Sequence, residues 1–393
     1  MSKIVFFCIP AHGHTNPTLG VVRELISRGN QVWYYSYDFL REKIQSTGAV
    51  FVSCDDYDAQ SKLSSKDGAR IGKDLAFSTK ILVDTTLSLN DKVCAEMELL
   101  KPDCIVADSM AIWGKAVALK LGIPFVCSTT TFAFNQHSAK VMKQGIGELI
   151  KMLFSIPKTA KQIKRLQEKG YPVKNVLDLI SNDDNTHTVV YTSPEFQPCS
   201  ETFSDKFAFV GPSIRPAVDK IKKTRNKLIY ISMGTVNNNM LPFYTECIAA
   251  LANTDYQVIL SVGHLVSVEE FDTLPENISV FPHVDQIAVL QQADIFISHC
   301  GMNSVSESLY FGVPLVMLPQ TAEQSGVAER VSQLGAGIRL DRSDAPSILV
   351  AINKIFDDPS YLENAQTLAE GFSRCSGAKG AADKIIQVCS NAE

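Results

Sequence analysis

Long apolar runs are missing from this chain: nowhere in its 393 residues do ~18 consecutive apolar residues occur, the length a membrane-spanning helix needs. The richest stretches, 313–318 and 295–298, are only as long as strands. An excess of positive charge is missing too. Lys plus Arg number 37 against 42 Asp plus Glu, a formal net charge of −5, so charge alone offers nothing to a nucleic acid. The 10 cysteines form no C-x-x-C pair, which argues against a zinc ribbon or a thiol-redox motif. Scattered as they are, they read as buried thiols of a protein kept in a reducing cytoplasm. No G-x-G-x-x-G follows the first apolar run, and no G-x-x-x-x-G-K-[ST] occurs anywhere. Nicotinamide and flavin dehydrogenases and P-loop nucleotidases thereby lose their phosphate-binding signatures. No segment repeats with a period of ~20–50 residues, which excludes solenoids.

What is present is a foldable, two-part chain. Hydrophobic residues make up 45% and charged residues 20%, a balance too apolar for disorder. At roughly 100–200 residues per domain, the length favours two. Met1-Ser2-Lys3 and the apolar run 4–9 resemble a secretory signal only superficially, because Pro10-Ala11-His12-Gly13-His14 stands where a small-residue cleavage site would be. The run reads as a first strand. A helix over 17–28 follows, with Pro17 at its first turn and Gly29 just past its end. Strands are expected at 31–36, 50–54, 104–107, 125–127 and 188–191, with a helix over 111–121 stopped by Gly122. The segment 129–184 interrupts the alternation with amphipathic helical patterns and no clear strand. Gly, Pro, Lys and Arg then crowd 211–226, which reads as a linker. A second series of strands is expected at 227–233, 257–262, 278–281, 294–298 and 314–318. Short apolar runs alternating with helices define an α/β fold with two doubly wound parallel sheets.

The strongest local signal is Ile297-Ser298-His299-Cys300-Gly301-Met302-Asn303-Ser304-Val305-Ser306-Glu307, where a strand gives way to a helix. Ligands of open α/β sheets bind beyond the carboxyl ends of strands, and a helix N-terminus offers free N–H groups to a phosphate. Gly301 permits close backbone approach, His299 supplies a donor, and Asn303 and Ser304 either cap the helix or donate to phosphate oxygens. Glu307, one turn deeper on the face of Ser304, is an acceptor suited to ribose hydroxyls. Asp56-Tyr57-Asp58 spells D-x-D, a metal-holding pattern in some sugar transferases, but it sits in an Asp-, Ser- and Lys-rich loop and carries little weight alone.

Pro10-Ala11-His12-Gly13-His14-Thr15-Asn16-Pro17, joined to HCGMNSVSESLYFGVPLVMLPQTAEQ from His299 to Gln324, resembles the UDP-sugar-dependent glycosyltransferases of the macrolide (antibiotic) and plant natural-product type. The resemblance spans the chain. It implies the GT-B architecture: two Rossmann-like domains facing across a cleft, the acceptor held by the first and the donor by the second. The implied domains are 1–215 and 227–371, joined by 216–226, with a last helix of about 372–393 packing back on the first. Inversion at the anomeric carbon and no metal or other cofactor are implied as well.

Transferred residue by residue, the catalytic base of that family falls on His14, with His12 as the competing histidine and a loop role as its simpler reading. Asp108, closing the pattern Asp103-Cys104-Ile105-Val106-Ala107-Asp108, would orient His14 and stabilise the imidazolium, or else cap the helix that follows it. Asp103 reads as structural. The uracil platform falls on His283, with Phe281 as its rival, followed by Val284 and Gln286. Ser232, Gly234 and Thr235 would reach the diphosphate or the sugar. Glu323 and Gln324 would hold the hexose hydroxyls, unless Glu323 merely serves the helix dipole. Glucose is the expected sugar.

Phe132, Phe134 and Phe154 are candidates for an apolar acceptor pocket suited to a macrolide, flavonoid or similar small hydroxylated molecule, single aromatics being common in cores as well. A sugar-nucleotide epimerase and a non-catalytic sugar-nucleotide sensor share the plan, but neither needs a histidine poised by Asp108.

Overall fold

A computed structural model of the chain describes residues 1–55, 74–141, 159–175, 178, 185–235, 238–271 and 273–390. Asp56, Tyr57, Asp58 and Phe154 lie outside the described residues. Each short apolar run becomes a strand, and the strands assemble into two parallel sheets. The first holds β1 (Lys3–Phe7), β2 (Gln31–Ser36), β3 (Val50–Ser53), β4 (Cys104–Asp108), β5 (Phe125–Thr129), β6 (His187–Val190) and β7 (Phe207–Phe209) in the order β3-β2-β1-β4-β5-β6-β7. The second holds β8 (Lys227–Ser232), β9 (Tyr256–Ser261), β10 (Ile278–Phe281), β11 (Ile295–Ser298), β12 (Leu315–Met317) and β13 (Gly337–Arg339) in the order β10-β9-β8-β11-β12-β13. Every residue of β4 and of β11 is buried, the continuous apolar pattern of strands covered on both faces.

In each sheet the order reverses beside the first strand of its series, at β1/β4 and at β8/β11. Those reversals leave a crevice at the carboxyl ends of the strands, where open α/β sheets bind ligands.

Contacts divide the chain into two units. One comprises Met1–Tyr191, Cys199–Ser213 and Ser376–Glu393, the other Thr192–Pro198 and Ile214–Cys375. The closing helix Gly377–Ser390 buries Ala381, Ala382, Ile385, Val388 and Cys389 in the core of the first unit, with Ile4, Phe6, Val22 and Leu25. Arg28 ion-pairs with Asp383 on that helix, and Lys384 Nζ donates to the Asp205 carbonyl. Residues 216–226 group with the second unit, where Lys223 Nζ lies 2.6 Å from Asp294 Oδ2 and the Val218 amide 2.6 Å from Asp285 Oδ2.

The first helix departs from expectation. It runs His12–Ser27 rather than starting at Pro17, and Pro17 lies inside it. Extended Ala11 (φ −143°, ψ 129°) turns the chain into the helix, and the Thr15 amide donates to the Ala11 carbonyl at 3.0 Å. A proline one turn in removes a single amide from the ladder and does not stop it. His14 therefore stands in the first helical turn. Two strands unforeseen in the sequence, β7 and β13, extend the sheets at one edge each.

All ten cysteines are free thiols. Among the described residues no helix is long and apolar enough to cross a membrane, and no group of three His, Cys, Asp or Glu side chains could hold a metal ion.

Candidate active site

In the first unit, three segments that follow neighbouring strands converge. The turn after β1 delivers His14, β4 ends in Asp108, and Thr130 follows β5. His14 Nδ1 lies 2.8 Å from Asp108 Oδ2, and the histidine side chain is 19% exposed against 1% for the aspartate. The other carboxylate oxygen accepts the Met110 amide at 2.9 Å. Asp108 does not cap the next helix, since Ala111 occupies the cap position of Ile112–Leu121. An ionised carboxylate only accepts, so the proton between the pair belongs to Nδ1 and the basic lone pair to Nε2. That is the tautomer a general base needs.

The remaining histidine and aspartate of the motif have other surroundings. His12 meets Phe39 edge-on at 5.6 Å between ring centroids. Asp103, at the opposite end of β4, accepts the Lys3 amide at 2.7 Å.

Of the acceptor candidates, Phe132 is 2% exposed and so fills core rather than lining an open surface, whereas Phe134 is 46% exposed.

In the second unit the seat is built around one ring. β8 ends at Ser232, Gly234 follows with φ +82°, and β11 ends at Ser298 just before His299. A Cβ added at Gly234 would lie 2.6 Å from His299 Cε1 and Nε2, and one added at Gly301 would lie 2.7 Å from Nε2. The imidazole thus fills the space that both glycines leave. Its Nδ1 is buried without a hydrogen-bond partner among the described residues. Burial pushes its pKa down to about 4, only partly opposed by the Ser232 main chain, so the ring is neutral near pH 7. It offers a hydrogen bond rather than a positive charge.

Cys300 adopts φ +66°, a left-handed conformation unusual for a side-chain-bearing residue, and turns the chain into the helix Met302–Tyr310. Gly301, which has no side chain to offer, is that helix's N-cap. Asn303 and Ser304 sit inside its first turn, at a helix start of the kind that receives anions.

Glu307, one turn on, accepts a hydrogen bond from Gln286 Nε2 at 2.5 Å. The same amide reaches Ser304 Oγ at 3.4 Å, and Tyr230 Oη donates to Gln286 Oε1 at 3.3 Å. Burial raises the Glu307 pKa, with Gln286 and Arg215 opposing. Thr235, Phe281 and His283 are exposed and Val284 half-buried, which keeps both platform candidates open to solvent. The Gln324 side-chain carbonyl is already engaged: it accepts the amides of Gln320 (2.8 Å) and Thr321 (3.2 Å) in the capping box of Ala322–Gln333. Its amide nitrogen is what it can offer a sugar. Glu323 beside it is exposed.

Two contributors escaped the sequence reading. Asp285, 5% exposed, caps the short helix Gln286–Leu290 through Ile287 and Ala288 and binds Arg215 at 2.6 and 3.1 Å. It also accepts the amides of Val218 and Asp219 at 2.6 and 3.3 Å. Burial would raise this carboxyl; Arg215 and the two amides instead hold it well below the usual carboxylate range. An aspartate just before a short helical run was a readable cap signal, but Arg215 as its partner was not. The other is Thr130, in a run of three threonines that gives no hint of a role.

Residues 245–385 match the family described as "Erythromycin biosynthesis protein CIII-like, C-terminal domain". NDP-glycosyltransferase YjiC of Bacillus licheniformis is 35% identical over 97% of this chain and 96% of its own. Oleandomycin glycosyltransferase of Streptomyces antibioticus is 26% identical, covering 98% of this chain and 90% of its own. Among solved structures, the glycosyltransferase of kitacinnamycin superposes with a TM-score of 0.85 at 26% identity, covering 98% of both chains. Together with these relatives, the two parallel-sheet α/β units mark the chain as a GT-B glycosyltransferase. The chain belongs to the macrolide-type, NDP-sugar-dependent family of these enzymes.

Proposed function

We propose that this chain is an inverting, metal-independent glycosyltransferase that moves glucose from UDP-glucose to a hydroxyl of a small, largely apolar acceptor. The observation that carries the reading is the 2.8 Å pair of His14 Nδ1 and Asp108 Oδ2. Nε2 of His14 takes the proton of the acceptor hydroxyl as its oxygen attacks the anomeric carbon, and Asp108 stabilises the imidazolium. The bond from that carbon to the diphosphate oxygen breaks on the opposite face, so an α-linked donor yields a β-glycoside and free UDP. Negative charge then grows on the diphosphate. The helix start at Gly301, the Ser304 hydroxyl and a neutral His299 donor support a reading in which that charge is received without a cation. The Gln286–Glu307 pair offers acceptors to two ribose hydroxyls, which favours a ribonucleotide donor over a deoxyribonucleotide one.

His14→Ala is expected to lower turnover by about 10²–10⁴ while UDP binding persists. The assay is release of UDP or TDP from UDP- and TDP-sugars against a panel of hydroxylated aglycones. Unchanged turnover in the variant would refute the assignment, and a preference for TDP-sugars would overturn the choice of donor.

A further inference from the structure

Thr130 is 4% exposed and stands directly after β5. A threonine hydroxyl away from solvent usually satisfies itself on nearby backbone, as half-buried Thr131 does: its Oγ1 donates to the Phe132 carbonyl at 3.2 Å. Thr130 Oγ1 instead lies 3.1 Å from Nδ1 of His14, a residue 116 positions away. That nitrogen also faces Asp108 Oδ2 at 2.8 Å. The carboxylate can only accept, so it fixes the hydrogen on Nδ1, and Thr130 Oγ1 must accept from the same N–H. One donor is therefore shared between two acceptors that approach it from β4 and β5.

We propose that Thr130 is a positioning residue of the transfer: its hydroxyl oxygen shares the Nδ1 hydrogen of His14 with Asp108, fixing the plane of the ring and keeping Nε2 as the basic nitrogen. The proposal rests on the reading of His14 as the base. A ring held by one acceptor can pivot about that bond, whereas two acceptors, one ending β4 and one just past β5, define its plane. When the ring gains a proton, its Nδ1–H becomes a charged donor, and an oxygen lost at that point costs more than one lost from a neutral pair.

Thr130→Val keeps the shape and removes the oxygen; Thr130→Ser keeps the oxygen and removes the methyl. The valine variant is expected to lose about tenfold in kcat, with UDP affinity by calorimetry and the KM for the UDP-sugar unchanged. The serine variant should recover to within about threefold of the parent. In ¹⁵N-histidine spectra, the His14 Nδ1–H should exchange with solvent faster in Thr130→Val than in the parent or in Thr130→Ser. Three results would overturn the proposal: a valine variant equal to the parent in kcat and exchange, a serine variant as impaired as the valine one, or a donor KM that rises in step with the loss. The spectra need no turnover, so they separate this claim from the function. Full activity in His14→Ala sinks the base while leaving the shared hydrogen bond intact, and unaltered exchange sinks Thr130 while leaving the base.

Discussion

Gly301 matters for the atom it lacks. Its φ of −61° suits any residue, so an added Cβ meets no backbone penalty, only the His299 ring 2.7 Å away. Gly301→Ala is therefore a steric probe of the seat. Overpacking of this kind costs typically about 1–3 kcal/mol of folding stability, so the urea midpoint should fall, and displacement of the His299 ring should weaken UDP binding read by calorimetry. A Gly301→Ala protein that binds UDP normally would show that the close approach does not govern affinity. The buried ring has a second consequence. Because folding lowers the pKa of His299 from 6.5 to about 4, the unfolded chain takes up its proton first as pH falls. The sign follows: the neutral ring's contribution is intact above pH ~6.5 and is lost progressively down to pH ~4, by on the order of 2–3 kcal/mol. The urea midpoint should fall across that window, and fall less in His299→Gln. His299 and Glu307 were read from their places after a strand end, whereas His14 and Asp108 were singled out by the resemblance to a known family rather than by any local pattern. The hydroxyl of Thr130 and the guanidinium of Arg215 were legible in neither way, because their roles depend on partners 116 and 70 positions away.

At the scale of elements, strands covered on both faces, such as β4 and β11, were readable as unbroken apolar runs. The bounds of β2 and of half-exposed β10 also fall where the sequence places them. The three-residue strands β7 and β13 are too short to carry any period. The start of the first helix was misplaced because Pro17 mimics a first-turn proline while sitting inside the helix. The closing helix Gly377–Ser390 gives the clearest energetic test. Ile385 on its inner face is 1% exposed in the core of the first unit. Ile385→Ala should cost about 2–5 kcal/mol, the usual range for such a truncation, read from urea unfolding of the full chain. A loss below 0.5 kcal/mol on that roughly defined scale would mean that the helix adds little to this core.

Across the whole molecule, two series of alternating strands and helices announced two bodies, and the body count needed nothing further. Which segments complete which body was harder to read. Thr192–Pro198 joins the second unit through Arg330, whose guanidinium donates to the Phe196 and Glu195 carbonyls at 2.9 Å. No pattern in seven residues of loop could have foretold a partner so far along the chain.

The assignment of Ser376–Glu393 to the first unit has a temporal side. A ribosome builds from the amino end, and domains usually fold in the order in which they emerge. Here the unit whose first strand is made earliest needs a helix that follows the whole of the second unit in the sequence, since Ala381, Ala382 and Ile385 pack with Ile4, Phe6 and Val22. Until residues 377–390 have been made, that apolar surface has no cover from its own chain, and holding it apart from other chains falls to whatever accompanies the nascent protein.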